Sequence, residues 1–357
     1  MPLSVHSLGE HGCSRVLGRD KLRREWSMET TTMKSDRPLV GIGLPVFNGE
    51  GHLEEALDSI LVQTYSNFEL IIVDNASTDG TPEICRAYAA RDKRIRYYRN
   101  PVNVGLQGNF PLALKLSSAK YFMWTAADDI RPTTAVEDCL EALLNNDQAV
   151  MAHGSLLLKI EGQEELIELS HKLPGCDSLN SAERVRAYVN GVKHNVMFYG
   201  MYKRDIAARG ILGWHYGYDY TYNLQTCFLG PLAYIQKPML IYRHKKHINV
   251  GDPTYKELNL TLMNLLKVGT LKRRKCWVIL LTGCYYLART GDARMAERLR
   301  AIAAYISAIV RRYRSRLSKE IVFQLFAPVA LLLYEIPFRL THRWPICLRV
   351  VQKLRRA

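Results

Sequence analysis

The chain has 357 residues, 48% hydrophobic and 23% charged, the balance of an ordinary globular protein of one large or two modest domains. Its eight cysteines form no C-x-x-C pair, so neither a zinc ligand set nor a disulfide frame is indicated, and reduced thiols in a cytosolic setting are the simplest account. The formal charge of +15 is unevenly placed: residues 267–357 hold 20 Lys and Arg against four acids, whereas residues 1–266 hold 29 against 30. Such a basic end attracts either nucleic acid or an anionic membrane surface.

Residues 1–36 show no hydrophobic periodicity and no apolar stretch of the secretory kind, and read as a disordered tail. From Arg37 short apolar runs alternate with helical patterns. Residues 39–44 form a strand ending at Pro45-Val46-Phe47-Asn48-Gly49, and a helix follows with Leu53, Ala56, Leu57, Ile60 and Leu61 on one face. Residues 68–73 form a second strand, ending at Asp74-Asn75-Ala76-Ser77-Thr78-Asp79-Gly80, and a helix spans 81–90 with Pro82 in its first turn. Residues 95–98 give a third strand and 104–116 a helix; the aromatic-rich apolar run from Tyr121 up to Asp128-Asp129 gives a fourth strand, and 132–144 a further helix. This alternation predicts βαβ units and a mostly parallel sheet, whose right-handed crossovers bring the tips at Pro45, Asp74 and Asp129 to one side. Beyond residue 149 the pattern loosens into a strand over 150–160, helices over 181–192 and 217–228, and a strand over 232–243 that enters Arg243-His244-Lys245-Lys246-His247.

The fourth strand stops on Asp128-Asp129. Unpaired carboxylates are costly to bury, so a pair where a core strand ends suggests a nearby cation. Ligands of open α/β sheets collect at this edge. The competing reading is an acidic turn capping the helix near Pro132. Asp74 is placed to accept hydrogen bonds from a ribose or base edge, although Ser77-Thr78-Asp79-Gly80 suits a plain turn and N-cap equally. Gly41-Ile42-Gly43 lies inside a strand without a G-x-G-x-x-G opening the next helix, which argues against a dinucleotide fingerprint; a Walker A loop is absent as well.

These residues carry a resemblance. Pro45-Val46-Phe47-Asn48, the helix Leu53 to Thr64, the stretch Ile71 to Thr81, Asn103-Val104-Gly105 and the Asp128-Asp129 pair resemble family 2 glycosyltransferases, continuously from about Pro38 to Asp129. The resemblance implies a GT-A fold, a Rossmann-like mostly parallel α/β sheet followed by a C-terminal helical region. It also implies transfer of a sugar from a nucleotide-diphospho-sugar donor, with inversion, to a saccharide or lipid-linked acceptor. By position, Pro45, Val46, Phe47 and Asp74 would face the nucleobase and ribose, Gly105 would lie near the donor, and Asp128 and Asp129 would hold Mg²⁺ or Mn²⁺. Ala126 stands where the fuller acidic form has its first aspartate. Gly217-Tyr218-Asp219 resembles an acceptor-side element and makes Asp219 the candidate base, with Trp214, Tyr216, Tyr218, Tyr220 and Tyr222 close in sequence. A capping role for Asp219 is the alternative, and Asp177, Asp205, His215 and His247 stand next in line as bases. The basic cluster at Arg243 either adds positive charge near the diphosphate or is a solvated turn. A donor-binding protein without turnover and a nucleotidyltransferase are the competing functions.

The expected organisation is a tail over 1–36, the transferase domain over 37–250 and a basic helical region over 251–357. Residues 276–288 are apolar but too few to span a bilayer of about 30 Å. Residues 321–338 are interrupted by Gln324, Pro328 and Glu335. Helices mixing apolar and basic surfaces fit an interface-lying anchor on an anionic membrane, on the inner face of the cell membrane; helices packed on the catalytic domain are the other reading. Nucleic acid is disfavoured, because long Leu/Ile/Val runs require burial and no nucleic-acid motif is present.

Overall fold

The computed structural model describes residues 39–160, 165–169, 172–192, 196–212, 218–244 and 275–317. The expected tail, Trp214, His215, Tyr216, the cluster at 245–247 and the apolar stretch at 321–338 lie outside the described residues.

Strands β1 (Val40–Val46), β2 (Phe68–Asp74), β3 (Ile95–Arg99) and β4 (Tyr121–Trp124) alternate with helices α1 (Leu53–Leu61), α2 (Thr81–Arg91), α3 (Gly105–Leu116) and α4 (Ala135–Leu144). Strands β5 (Met151–Ile160) and β6 (Leu166–Leu169) follow, then α5 (Ser181–Gly191), a 3₁₀ turn (Val196–Tyr199), β7 (Met201–Lys203) and α6 (Arg204–Arg209). Helix α7 (Tyr218–Leu229), β8 (Leu232–His244), α8 (Lys275–Arg289) and α9 (Met295–Leu317) complete the described chain. One eight-stranded sheet runs β3-β2-β1-β4-β7-β5-β6, with β8 pairing the other edge of β5. The β1–β2, β2–β3 and β1–β4 pairs are parallel, so their carboxyl ends share one edge of the sheet. Short β7 is antiparallel to both β4 and β5 and joins the two halves.

Several boundaries differ from the sequence reading, each for a local reason. Pro45 and Val46 belong to β1 itself, paired with Val73 and Asp74 and buried, so the turn begins at Phe47. Helix α4 begins at Ala135 rather than Pro132: Ile130 is held in an isolated bridge to Ile241, and the Pro132 carbonyl accepts from Ala135 N (2.9 Å). β6, β7 and α6 were not anticipated.

Apolar side chains fill both faces of the sheet. On one, Leu53, Leu57, Cys85, Tyr88, Val136 and Leu140 from α1, α2 and α4 cover Ile42, Leu44, Leu70 and Ile72. On the other, Trp124 stacks on Phe198 at 4.9 Å and meets Tyr202 and Tyr222 edge-on, an arrangement aromatic quadrupoles favour. The strand glycines are explained here by packing. A Cβ on Gly43 would stand 2.6 Å from Phe122 Cζ and 2.9 Å from Ala113 Cβ, so only glycine lets α3 lie this close to β1. Leu287 of α8 and Ala301, Tyr305, Ala308 and Ile309 of α9 are buried in this same cluster, so these two helices pack against the core of the α/β domain.

Candidate active site

The first part of the site is built where β1 and β2 end. Phe47 is exposed, and the chain reverses at Asn48 (φ 51°). Asn48 N donates to Ser77 Oγ (3.0 Å), and Asn48 Oδ1 accepts from Thr78 N (2.9 Å), so the two loops are laced together. Gly49 N donates to Thr81 Oγ1 (2.8 Å), and Glu50 Oε2 accepts from Gly80 N (2.6 Å). Asp74 is fully buried. Its carboxylate accepts from Ser77 N (2.8 Å) and Tyr97 Oη (2.9 Å) and pairs with Arg99 Nε (3.4 Å). Its evident work in this structure is to set the 75–80 loop; burial, then the Asp74 charge, pushes the Tyr97 phenol far up.

A network of asparagines, which the sequence reading missed, links this loop to the next. Asn75 Nδ2 donates to Asn103 Oδ1 (2.6 Å), and Asn75 Oδ1 accepts from Val104 N (2.9 Å) and Asn100 Nδ2 (3.2 Å). Asn103 Oδ1 also accepts from Gly105 N (2.8 Å), and Gly105 takes φ 71°, which glycine adopts without strain. Asn109 closes the network, accepting from Asn100 Nδ2 (2.9 Å) and donating to the Val73 carbonyl (2.8 Å). Gly105 is thereby fixed beside the Asn75 loop.

The second part lies beyond β4. Asp128 is half-buried and Asp129 is only 2% exposed. Burial, and then the charge of Asp128, pushes the Asp129 carboxyl up to about 7, with Arg243 and Arg131 pulling the other way. β8 braces this turn. Arg243 N donates to Asp129 Oδ1 (3.0 Å), its Nε donates to the Asp128 carbonyl (3.0 Å), and its Nη2 reaches Glu55 Oε2 (2.5 Å). Arg243 is therefore a structural clasp on the acidic turn. Arg131, another residue the sequence reading missed, is buried and donates to the carbonyls of Trp124 (2.6 Å), Tyr199 (2.8 Å) and Met239 (3.0 Å).

Asp219 sits in the first turn of α7, half-buried, with its Oδ1 accepting from Tyr220 N (2.9 Å). Burial foremost, then the charges of Asp129, Tyr218, Asp128 and Asp219, raise the Tyr199 phenol well above its usual range. The aromatic residues near Asp219 divide. Tyr222 is core, donating to the Ala207 carbonyl (2.7 Å), and Tyr220 is 9% exposed, whereas Tyr218 is half-buried and meets Phe198 edge-on at 6.4 Å. Asp177 and Asp205 are exposed.

Among the described residues no group of three or more His, Cys, Asp or Glu side chains gathers as a metal cage. The donor set still fits a hard cation: one or two carboxylates, completed by phosphate oxygens of a bound substrate, is the usual protein contribution to Mg²⁺ binding. A carboxyl pushed up to about 7 by burial and then by its acidic neighbour is the electrostatic deficit that such an ion would relieve.

A parallel sheet with acidic and loop-borne groups along its carboxyl edge is the architecture of GT-A nucleotide-sugar transferases. The structure is similar to S. aureus TarS 1–349 (TM-score 0.53, 13% identity, covering 77% of this chain and 73% of that one). It is similar also to the same protein in complex with UDP-GlcNAc (TM-score 0.52, 15% identity, 76% and 72% covered). Residues 42–208 match the model of glycosyl transferase family 2. An uncharacterised glycosyltransferase of Haemophilus influenzae is 33% identical over 138 residues, 38% of this chain and 55% of the relative. A second one from the same organism is 35% identical over 120 residues, 34% of this chain and 37% of the relative. The matched segment thus spans about half or less of the relatives' length.

Proposed function

We propose that the protein transfers a sugar from a nucleoside diphosphate donor to an acceptor hydroxyl, with inversion at the anomeric carbon. The observation that carries this reading is the buried Asp129 beside half-buried Asp128, beyond the carboxyl end of β4 in the parallel half of the sheet. The TarS complex with UDP-GlcNAc supports a uridine or related nucleotide-sugar as donor class. Exposed Phe47 offers a ring to the nucleobase, and the loops fixed by Asp74 and the asparagine network line the approach to the diphosphate. Asp128 and Asp129 are the residues that would hold Mg²⁺ or Mn²⁺. When bound, such an ion offsets the negative charge that develops on the departing diphosphate.

Asp219 would accept the proton from the acceptor hydroxyl, which attacks the anomeric carbon as the bond to the diphosphate oxygen breaks. It stands half-buried in the first turn of α7. The acceptor is a saccharide or lipid-linked saccharide. We place the protein in the cytoplasm, peripheral on the inner face of the cell membrane, with the transferase domain over 37–250 and the basic region over 251–357 making the membrane contact. No helix among the described residues is long and apolar enough to cross a membrane.

A donor-binding protein without turnover is the second reading, favoured by Ala126 at the first acidic position. Incubation with a panel of nucleotide-sugars separates the readings. Release of nucleoside diphosphate, with an inverted product configuration by NMR, is the expected result. Pyrophosphate released from a nucleoside triphosphate supplied with a sugar 1-phosphate would identify a nucleotidyltransferase, and nucleotide-sugar binding without release a non-catalytic protein.

A further inference from the structure

Helix α9 has two unlike faces. Ala301, Ala304, Tyr305, Ala308 and Ile309 are buried against the transferase core. On the opposite side Met295, Leu299, Ile306 and Val310 are 70%, 58%, 40% and 44% exposed. Their spacing places all four within about 60° on a helical wheel at 100° per residue. At 1.5 Å per residue the row runs about 22 Å along the surface. Apolar rows of this extent on a soluble surface mark a contact site.

Charge identifies the occupant. Over its length α9 carries six arginines and one glutamate. Two of the arginines face inward: Arg298 donates to the carbonyls of Ala288, Gly291 and Ala293 at the end of α8, and Arg312 to those of Val189 and Val192 behind α5. Arg300 and Arg311 are exposed and lie about a quarter-turn round the helix from the apolar row. A second copy of this chain seated on the row would bring two strongly basic helices together. Nucleic acid would meet the arginines but leave the apolar row in water. An anionic bilayer satisfies both, taking the apolar row into the headgroup–acyl boundary while lipid phosphates meet the guanidinium groups.

We propose that the outer face of α9 is the lipid-contact surface of the protein, lying in the plane of an anionic membrane. This rests on the membrane reading above and assigns the contact to one face of one helix. Because the inner face of α9 belongs to the core, the transferase domain itself is held at the bilayer, not merely tethered to it.

The test uses the full chain and vesicles of phosphatidylcholine with and without 30% phosphatidylglycerol. The wild type is expected to co-sediment with the anionic vesicles and to be released as salt is raised. The double variant Leu299→Ser/Ile306→Ser, shown to be folded by circular dichroism, is expected to lose at least tenfold in partitioning. A polarity-sensitive dye on Ile306→Cys is expected to shift to the blue when anionic vesicles are added. Binding by the wild type with neither loss in the double variant nor a dye shift would overturn the α9 assignment and leave the membrane reading standing. No binding by the wild type would overturn both. A dimer in sedimentation that Leu299→Ser/Ile306→Ser dissolves would give the face to a second copy instead.

Discussion

Replacing Arg131 by Met removes a buried guanidinium that ties the end of β4 to the 3₁₀ turn and to β8. Three main-chain carbonyls, of Trp124, Tyr199 and Met239, lose their donor at 2.6, 2.8 and 3.0 Å. Hydrogen bonds from a charged donor contribute about 1.5–3 kcal/mol each, so the gross loss is roughly 4.5–9 kcal/mol. Against this, Met relieves the desolvation of a buried cation, itself several kcal/mol. The net expectation is a loss of about 3 kcal/mol, near the low end for disrupting a buried charged network. Urea unfolding followed by circular dichroism measures it as a lower midpoint at unchanged slope. Arg131→Lys should recover only part, because one ammonium cannot meet carbonyls on three separate elements. The acidic turn should also bind donor more weakly in Arg131→Met, since Asp129 loses a favourable charge neighbour that Arg131→Lys retains. A loss below about 1 kcal/mol in Arg131→Met, or a Met variant more stable than Lys, would refute the bracing role.

Asp219→Asn keeps the size and the capping oxygen but cannot take a proton; transfer is expected to fall at least about 100-fold with donor binding retained, measured by product formation and calorimetry. Near-normal transfer would leave Asp219 as a helix cap. Ala76 holds φ 62°, a conformation in which a Cβ costs about 1–2 kcal/mol. Ala76→Gly is therefore expected to be neutral or slightly stabilising in thermal unfolding, and Ala76→Val to destabilise by more than about 1 kcal/mol, since β-branching worsens the clash.

The parallel half of the sheet was legible because its central strands are largely apolar runs, each ending in turn chemistry, as in Phe68–Asp74 followed by the Ser77–Thr81 loop. β7 was not, because three residues carry no periodicity and Met201–Lys203 is a strand only through its partners β4 and β5. Asp128 and Asp129 stood out as carboxylates closing a core strand. Arg131, two residues on, did not, because its three acceptors lie on elements up to 108 residues away. Asn75 and Asn103 stood in two separate motif stretches; their mutual hydrogen bond depends on two loops meeting across the sheet edge. Arg243 read as part of a basic cluster, whereas the register that sets Ile130 against Ile241 makes it a clasp on Asp129. Pattern reports an element's own face, and these contacts depend on what the fold brings beside it.

We propose that the Asp128–Asp129 turn serves nucleotide-sugar turnover. Its most direct test compares nucleoside diphosphate release by wild type and Asp129→Ala, each with Mg²⁺ or Mn²⁺ and with EDTA. Release by the wild type that requires the cation, lost in a folded Asp129→Ala, is the expected result; undiminished release by Asp129→Ala, or by the wild type in EDTA, would contradict it.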